Sequence, residues 1–415
     1  MSNLSTKAVL CALGLLGIWG THGHTRADGS TALLLEGLES PTYLLPGTQS
    51  ALRKSFTGFQ AFDDIIRMLV LFWWETLDGS HPTTSTIGLY FLGQALPCIL
   101  IVYLNALRGE KPSLVKPTLW LLLFQVGSIG ATSFIWALVY IIGSPTVQCN
   151  ISFDALRHSS TISDQVYVWL LLPALALGYA LPAFLMSIPS SSSADTPALV
   201  SNMFQQYAIA VWNMYPLVVL VLVYVLRPVL STLVPSRATA VKKSPSSKTD
   251  AHPTGRRGKL TALRTTNITA LIFSTAMHIS IVGISLSTIL FPTIFRPAYI
   301  NHLSPASIFL PPLASGSQAL TPGDGVRGFL LWDQVASYAT ILVVVLGEFR
   351  EVVRAVKVQG QGGGGGTWAS LLSSWTGIVG VVGVSLVLGP GSACLVVSWM
   401  RDEILFGDEE KGGEN

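Results

Sequence analysis

Two stretches of this chain set carboxylates into otherwise apolar sequence. The first reads Phe62-Asp63-Asp64-Ile65-Ile66-Arg67 and continues as Phe72-Trp73-Trp74-Glu75-Thr76-Leu77-Asp78-Gly79-Ser80-His81-Pro82. The second reads Phe329-Leu330-Leu331-Trp332-Asp333-Gln334 and runs on through Tyr338 to Glu348 and Arg350. A carboxyl group shut away from water favours its neutral form, and as a neutral acid it can hand a proton to a substrate. Protonating an alkene or epoxide makes a carbocation, which water would quench and aromatic faces stabilise. Glu75, Asp78, Asp333 and His81 are therefore the candidate catalytic groups. Trp73, Trp74, Trp332 and Tyr338 beside them, with Asp64 and Asn213, are the candidate substrate contacts.

Structural roles compete for several of these positions. Asp63 and Arg67 stand four apart and are expected to pair on one helix face at the end of a span. Asp64 and Glu75, eleven apart, fall near one meridian of the same helix, giving it a polar stripe. Glu348, close to Arg350 and Glu351, reads as a solvated helix end. Gln94, Asn105, Gln125, Asn213 and His278 are expected to make hydrogen bonds between helices.

Missing motifs narrow the chemistry. Asp63-Asp64 does not extend to DDxxD, and no NDxxD follows, so the aspartate-rich magnesium sites of diphosphate chemistry are not expected. The DxDD acid motif, GxxxxGKS/T, GxSxG and HExxH are all absent. Cys11, Cys98, Cys149 and Cys394 show no CxxC spacing, and Cys98 and Cys394 are expected to be buried and inert. No metal and no cofactor is expected.

The elements that must position these groups follow from the medium. Of 415 residues, 25 are Lys or Arg and 22 are Asp or Glu, or 11% charged, while half are hydrophobic. Ordinary soluble domains carry about 25% charge. So few charges cannot cover a globule of this size in water, and a net charge of +3 spread over loops does not suggest nucleic acid. Lipid is the expected solvent, and there the backbone satisfies its hydrogen bonds only in helices or closed barrels. The period-two alternation of a barrel strand is missing. The fold class expected is all-α, a polytopic transmembrane bundle of about eight spans, each near the ~20 residues that cross a bilayer. Six charge-poor runs lie at 85-107, 118-142, 165-188, 203-227, 266-292 and 376-400; two more, 59-78 and 329-350, carry the acids. Pro97, Pro173, Pro182 and Pro216 inside spans are expected to kink helices and open space between them.

The organisation expected is a signal peptide or signal anchor at 1-24, where Lys7 precedes an apolar run, and a lumenal segment at 25-58. A five-helix membrane half at 59-228 is followed by a basic cytoplasmic loop at 229-265, the last three helices at 266-400 and an acidic tail at 401-415. The glycine run Gly360 to Gly366 reads as a flexible linker. Arg108, Lys111 and Lys116 fall on the lumenal side of this arrangement, against the positive-inside tendency, and the sequon at Asn150 would face the cytoplasm. The internal repeats that mark many transporters are not visible.

The segment FDDIIRMLVLFWWETLDGSHP, the long basic loop and LLWDQ at the head of the penultimate span resemble the integral-membrane terpene cyclases of fungal secondary-metabolite clusters, meroterpenoid and indole-diterpene pathways among them. The likeness covers residues 55 to 400. It implies a metal-independent isomerase or lyase that protonates a terminal epoxide or alkene of a prenylated small molecule and closes rings, in the endoplasmic reticulum membrane with lipid as its surroundings. By role, it implies that Glu75 or Asp78 and Asp333 supply acids from two helices to one dry chamber. Asp78 and His81 would orient or recharge the donor, and Trp73, Trp332 and Tyr338 would line the cation path. A polytopic transporter of a hydrophobic metabolite, which would also place a few acids in a kinked bundle, is the alternative.

Overall fold

A computed structural model describes residues 3–40, 42–109, 111–147, 151–190, 198–233, 253–313, 318–359 and 375–407. Cys149, Asn150 of the sequon, most of the basic loop, the Gly360 to Gly366 run and the tail from 408 onward lie outside them.

Among the described residues the regular structure is helical, and extended pairing amounts to two isolated bridges, Leu44 with Ala51 and Arg108 with Ile162. The helices in chain order are α1 Leu4–Ala27, α2 Ser30–Glu39, α3 Gln60–Leu77, α4 Pro82–Ala106, α5 Val115–Gly127, α6 Ile129–Gly143, α7 Phe153–Ser160, α8 Gln165–Met186, α9 Asn202–Asn213 and α10 Tyr215–Leu233. They continue with α11 Pro253–Leu290, α12 Pro297–His302, α13 Pro305–Phe309, α14 Pro322–Val358, α15 Trp375–Leu388 and α16 Pro390–Phe406. Many start where the sequence supplies a first-turn proline, whose missing N–H costs nothing there; α4, α12, α13, α14 and α16 do so.

Five of the helices are long and apolar enough to cross a membrane: α1, α4, α8, α11 and α14; counting the bent pair α9 and α10 as one span gives six. This differs from the eight expected spans for local reasons. The run 118-142 is divided at Ser128 into α5 and α6, and 376-400 is divided at Gly389 into α15 and α16. Helix α3 has the length but carries Asp63, Asp64, Arg67 and Glu75. The N-terminal apolar run is the 24-residue α1, packed against α6 and α14.

Helix α14 is the axis, packed against α1, α3, α4, α6 and α16, and α4 is almost wholly buried beside it. The outside of the bundle is apolar. On α11, for example, Ile272, Ile279 and Ile289 face outward. Gln94 and His278 bond between helices as expected, whereas Asn105 and Asn213 bond locally, and among the described residues Gln125 Nε2, Ser133 Oγ and Asn213 Oδ1 are buried without a hydrogen-bond partner. Gln94 on α4 donates to Ser274 O of α11 at 2.7 Å, and its Oε1 accepts from Gly391 N of α16 at 3.1 Å. His278 of α11 contacts Tyr90 Oη of α4 at 2.9 Å and Leu386 O of α15 at 3.0 Å. Asn105 accepts from Arg108, while Asn213 donates to Ile209 O of its own helix.

Two expectations about charged groups are corrected. Asp63 does not pair with Arg67: its carboxylate accepts from Ser55 Oγ, Phe56 N, Thr57 N and Gly58 N, tying down the loop before α3. Arg67 instead contacts Asp64 at 3.3 Å and donates to Leu38 O at 2.8 Å, because that loop's free N–H groups claim Asp63 first. Glu348 is no solvated helix end. Helix α14 continues to Val358, so Glu348 lies inside the bundle with no exposed surface, paired with Arg401 of α16 and bonded by Tyr140 and Thr146. Arg401 also meets Asp402 at 3.0 Å, and Asp402 meets Arg108 at 2.8 Å. Arg108 is thus neutralised within the protein. Cys98 and Cys394 are buried and free, whereas Cys11 is exposed.

Candidate active site

The run from Thr118 to Ile142 is interrupted by Gly127-Ser128-Ile129-Gly130, and there the backbone turns from α5 into α6. Ser128 has φ 70° and ψ 138°, and among the described residues it is the one non-glycine with positive φ. Holding an L-residue there costs on the order of 1–3 kcal/mol, and such strain collects at functional positions. The hydroxyl explains what is gained. Ser128 Oγ accepts from Ala131 N at 3.1 Å, capping α6, and donates to Asp333 Oδ1 at 2.6 Å. Gly130 N donates to the same oxygen at 2.5 Å. A side chain at position 130 would collide with this partner, since its Cβ would lie 2.8 Å from Asp333 Oδ1 and 2.9 Å from Asp333 Cα. Asp333 is 3% exposed and sits on the amino end of α6, where the helix dipole favours negative charge. Both donors take Oδ1; among the described residues Oδ2 has no hydrogen-bond partner.

Asp333 borders a cavity of about 220 Å³. Along α14 the lining positions are Pro322, Val326, Phe329, Leu330 and Asp333, one face at helical spacing. Helix α3 contributes Met68, Leu69, Phe72 and Trp73. The opposite wall exists because two helices are broken. Pro216 cannot donate to the carbonyl one turn back and disfavours a helical Tyr215, so α9 and α10 meet at 70° and both Trp212 and Tyr215 reach the cavity. In α8 the backbone opens into a π turn at Ala176–Ala180, directing the Tyr179 hydroxyl to Leu92 O at 2.7 Å while its ring borders the space. The rings pack edge to face, Trp73 with Trp212 at 5.0 Å and Phe72 with Phe329 at 5.0 Å. Phe91 and Phe124 complete the aromatic wall, and the remaining polar lining includes His22, Thr25 and Gln125. Among the described residues no three His, Cys, Asp or Glu side chains gather as metal ligands would.

The CtvD domain profile matches residues 6–406, nearly the whole chain. This chain belongs to the CtvD domain family. Among similar proteins, terpene cyclase ascI of Acremonium egyptiacum is 24% identical over all of this chain and 96% of its own length. Terpene cyclase ctvD of Aspergillus terreus is 27% identical over 52% of this chain and 58% of its own length. Terpene cyclase penA of Penicillium crustosum is 24% identical over 86% and 84% respectively. No solved structure matches the chain.

Within this CtvD domain, only some of the residues singled out by sequence come together. Asp333 and Trp73 border the cavity. Trp332, one position from Asp333, turns away from the cavity and is buried against α1, its ring meeting Trp19 at 5.3 Å while its indole donates to Pro312 O at 2.9 Å. Trp74 is buried with its indole on Pro46 O at 3.1 Å, and Tyr338 is buried one to two turns beyond Asp333, next to Cys394. Asp64 is at the surface, its side chain 55% exposed, and Asn213 is buried against its own helix. None of these five lines the cavity.

Glu75 is 2% exposed and does not face Asp333 across the cavity. Its Oε2 accepts from Gly323 N in the first turn of α14 at 2.5 Å, and its Oε1 is 3.4 Å from His81 Nε2. Gly323 stands ten residues before Asp333, about 15 Å along the helix. The expectation of two acids facing one chamber therefore fails in the geometry, because free N–H groups at a helix start attract a carboxylate more strongly than an apolar cavity does. Asp78 lies beyond, accepting from Ser80 N at 2.8 Å. Burial pushes the Asp78 carboxyl upward from its ordinary range despite the Ser80 hydrogen bonds, and the bond to Glu75 raises the His81 imidazole. Ser128, His22, Tyr179 and Tyr215 escaped sequence reasoning. Gly-Ser-Ile-Gly inside an apolar run and proline directly after Trp212-Asn213-Met214-Tyr215 were the available signals.

Proposed function

We propose that this protein is a membrane-bound terpene cyclase, an isomerase or lyase that works without a metal or cofactor, protonating an epoxide or alkene of a prenylated substrate and closing it into rings. The relatives named terpene cyclases support the reaction class, and the apolar helices support a lipid-embedded site, for which the endoplasmic reticulum is the proposed membrane. The single observation that carries the reading is Asp333, buried at the edge of an aromatic-walled cavity with Oδ1 held by two donors and Oδ2 left for a ligand.

In this role Asp333 meets the substrate protonated on Oδ2. The epoxide oxygen or alkene π pair takes the proton, the C–O bond or π bond gives up its electrons, and the next double bond of the prenyl chain supplies a pair to form the first ring bond. The carboxylate left behind is stabilised at Oδ1 by Ser128, Gly130 and the start of α6. Trp73, Trp212 and Tyr215 turn electron-rich faces to the moving charge, and exclusion of water prevents early capture. Glu75, Asp78 and His81 act at a distance, as positioning residues that fix the first turn of α14 and so the cavity's far end.

The test is direct. Microsomes containing the chain are given an epoxidised farnesyl- or geranylgeranyl-bearing aromatic compound and the products separated. The wild type yields a cyclic isomer, and Asp333→Asn leaves the substrate uncyclised while remaining membrane-inserted. A transporter of the same compound would leave it chemically unchanged in both.

A further inference from the structure

We propose that His22 is the base that ends the reaction, removing the final proton from the cyclised cation; this rests on the cyclase reading above. Among the described residues lining the cavity, Asp333 is the one carboxylate and His22 the one imidazole. Both are fastened to the same four-residue break: Asp333 to Ser128 and Gly130, and His22 to Gly127, whose carbonyl oxygen lies 3.3 Å from His22 Nε2. A carbonyl only accepts, so Nε2 is the nitrogen that carries hydrogen, and in the neutral ring Nδ1 then holds the lone pair. Nδ1 makes no hydrogen bond among the described residues. The ring stands edge-on to Phe329 of α14, centroids 5.6 Å apart, which fixes its plane. It is carried into the cavity by a π turn in α1, Trp19–Gly23, and such turns recur at functional positions.

The proton balance closes within the pair. After the last ring bond forms, a C–H bond next to the cationic carbon breaks. Its electron pair becomes a C=C bond, and the proton moves to Nδ1 of His22. The product is neutral and has the composition of the substrate. The imidazolium and the Asp333 carboxylate then differ from their starting states by one proton, and its passage from the first to the second restores both without an outside reactant.

The decisive variant is His22→Gln, whose amide can still donate to Gly127 O but has no basic lone pair. With the prenylated epoxide used above, His22→Gln is expected to keep consuming substrate, the Asp333 carboxylate taking the final proton in place of the imidazole. The share of the wild-type product should fall about tenfold or more, in favour of isomeric alkenes or water-captured alcohols. An unchanged product distribution overturns the proposal. So does a variant present at wild-type amounts that consumes nothing, since a terminating base is not needed to open the epoxide. His22→Asn gives the same reading if the glutamine variant does not accumulate; failure of both assigns His22 to packing and also overturns it. If the wild type itself converts nothing, the cyclase reading has failed rather than the role of this histidine.

Discussion

Ser128 and Asp333 stand 205 residues apart in the chain and share a 2.6 Å hydrogen bond. The same serine holds the backbone of the α5–α6 break in a conformation that L-residues avoid. Two substitutions separate its roles. Ser128→Ala loses the cap and the bond to Asp333 but keeps the strain, and is expected to lower stability by about 1–2 kcal/mol. Ser128→Gly also loses the hydroxyl, yet adopts positive φ freely, so its melting temperature should stay level or rise. Cyclisation should fall about tenfold in both, and thermal unfolding in detergent alongside product yield checks the contrast.

Gly130 sets how closely α6 approaches α14. With an added Cβ only 2.8 Å from Asp333 Oδ1, Gly130→Ala must push the helices apart. The expected cost is about 1–3 kcal/mol, with loss of turnover near that of Asp333→Asn. An alanine variant of full activity would show that Asp333 is not held where the chemistry needs it.

Arg401 and Glu348, both almost fully buried, form the centre of an ion network at the opposite end of α14 from Glu75. Arg401→Met leaves Glu348 and Asp402 short of a partner and should cost about 3–5 kcal/mol. Adding Glu348→Gln should recover part of that loss, because one stranded charge is removed. The remaining activity per folded molecule should match wild type, which a titration of product against folded protein measures.

The Glu75–His81 pair gives the first turn of α14 a pH dependence. The folded imidazole is raised by its bond to Glu75, so this contribution to stability is fully present below the unfolded histidine value of about 6.5 and is lost as pH rises through the folded one. Wild-type melting temperature should therefore fall between pH 6 and pH 8 relative to His81→Gln, whose profile should be flatter. Equal slopes would assign the pair no energetic role.

Helix α1 packs its Gly17 on the Gly130 backbone and supplies His22 and Thr25 to the cavity. A signal cleaved after residue 24 would take Gly17 and His22 away. An epitope tag placed before residue 1 is accordingly expected to remain on the active protein, read by immunoblot of the membrane fraction.

Sequence composition carried the coarse architecture: few charges, long apolar runs and no period-two alternation point to apolar helices, and the described residues are helical, with five of the helices long and apolar enough to cross a membrane. It also singled out Asp333 and Trp73, because an acid or ring inside an apolar run is conspicuous without any partner in view. Facing direction was another matter. Trp332 is adjacent to Asp333 yet points 100° around the helix from it, and Glu75 turned to the unpaired N–H of Gly323. Glu348 looked like a surface residue because its partner, Arg401, is distant in the chain. Local periodicity tells which residues share a helix face. Only the packing of α1, α6 and α14 decides which face meets the cavity, and it alone brings His22, Ser128 and Asp333 to one bend, since those contacts join segments that share no local pattern.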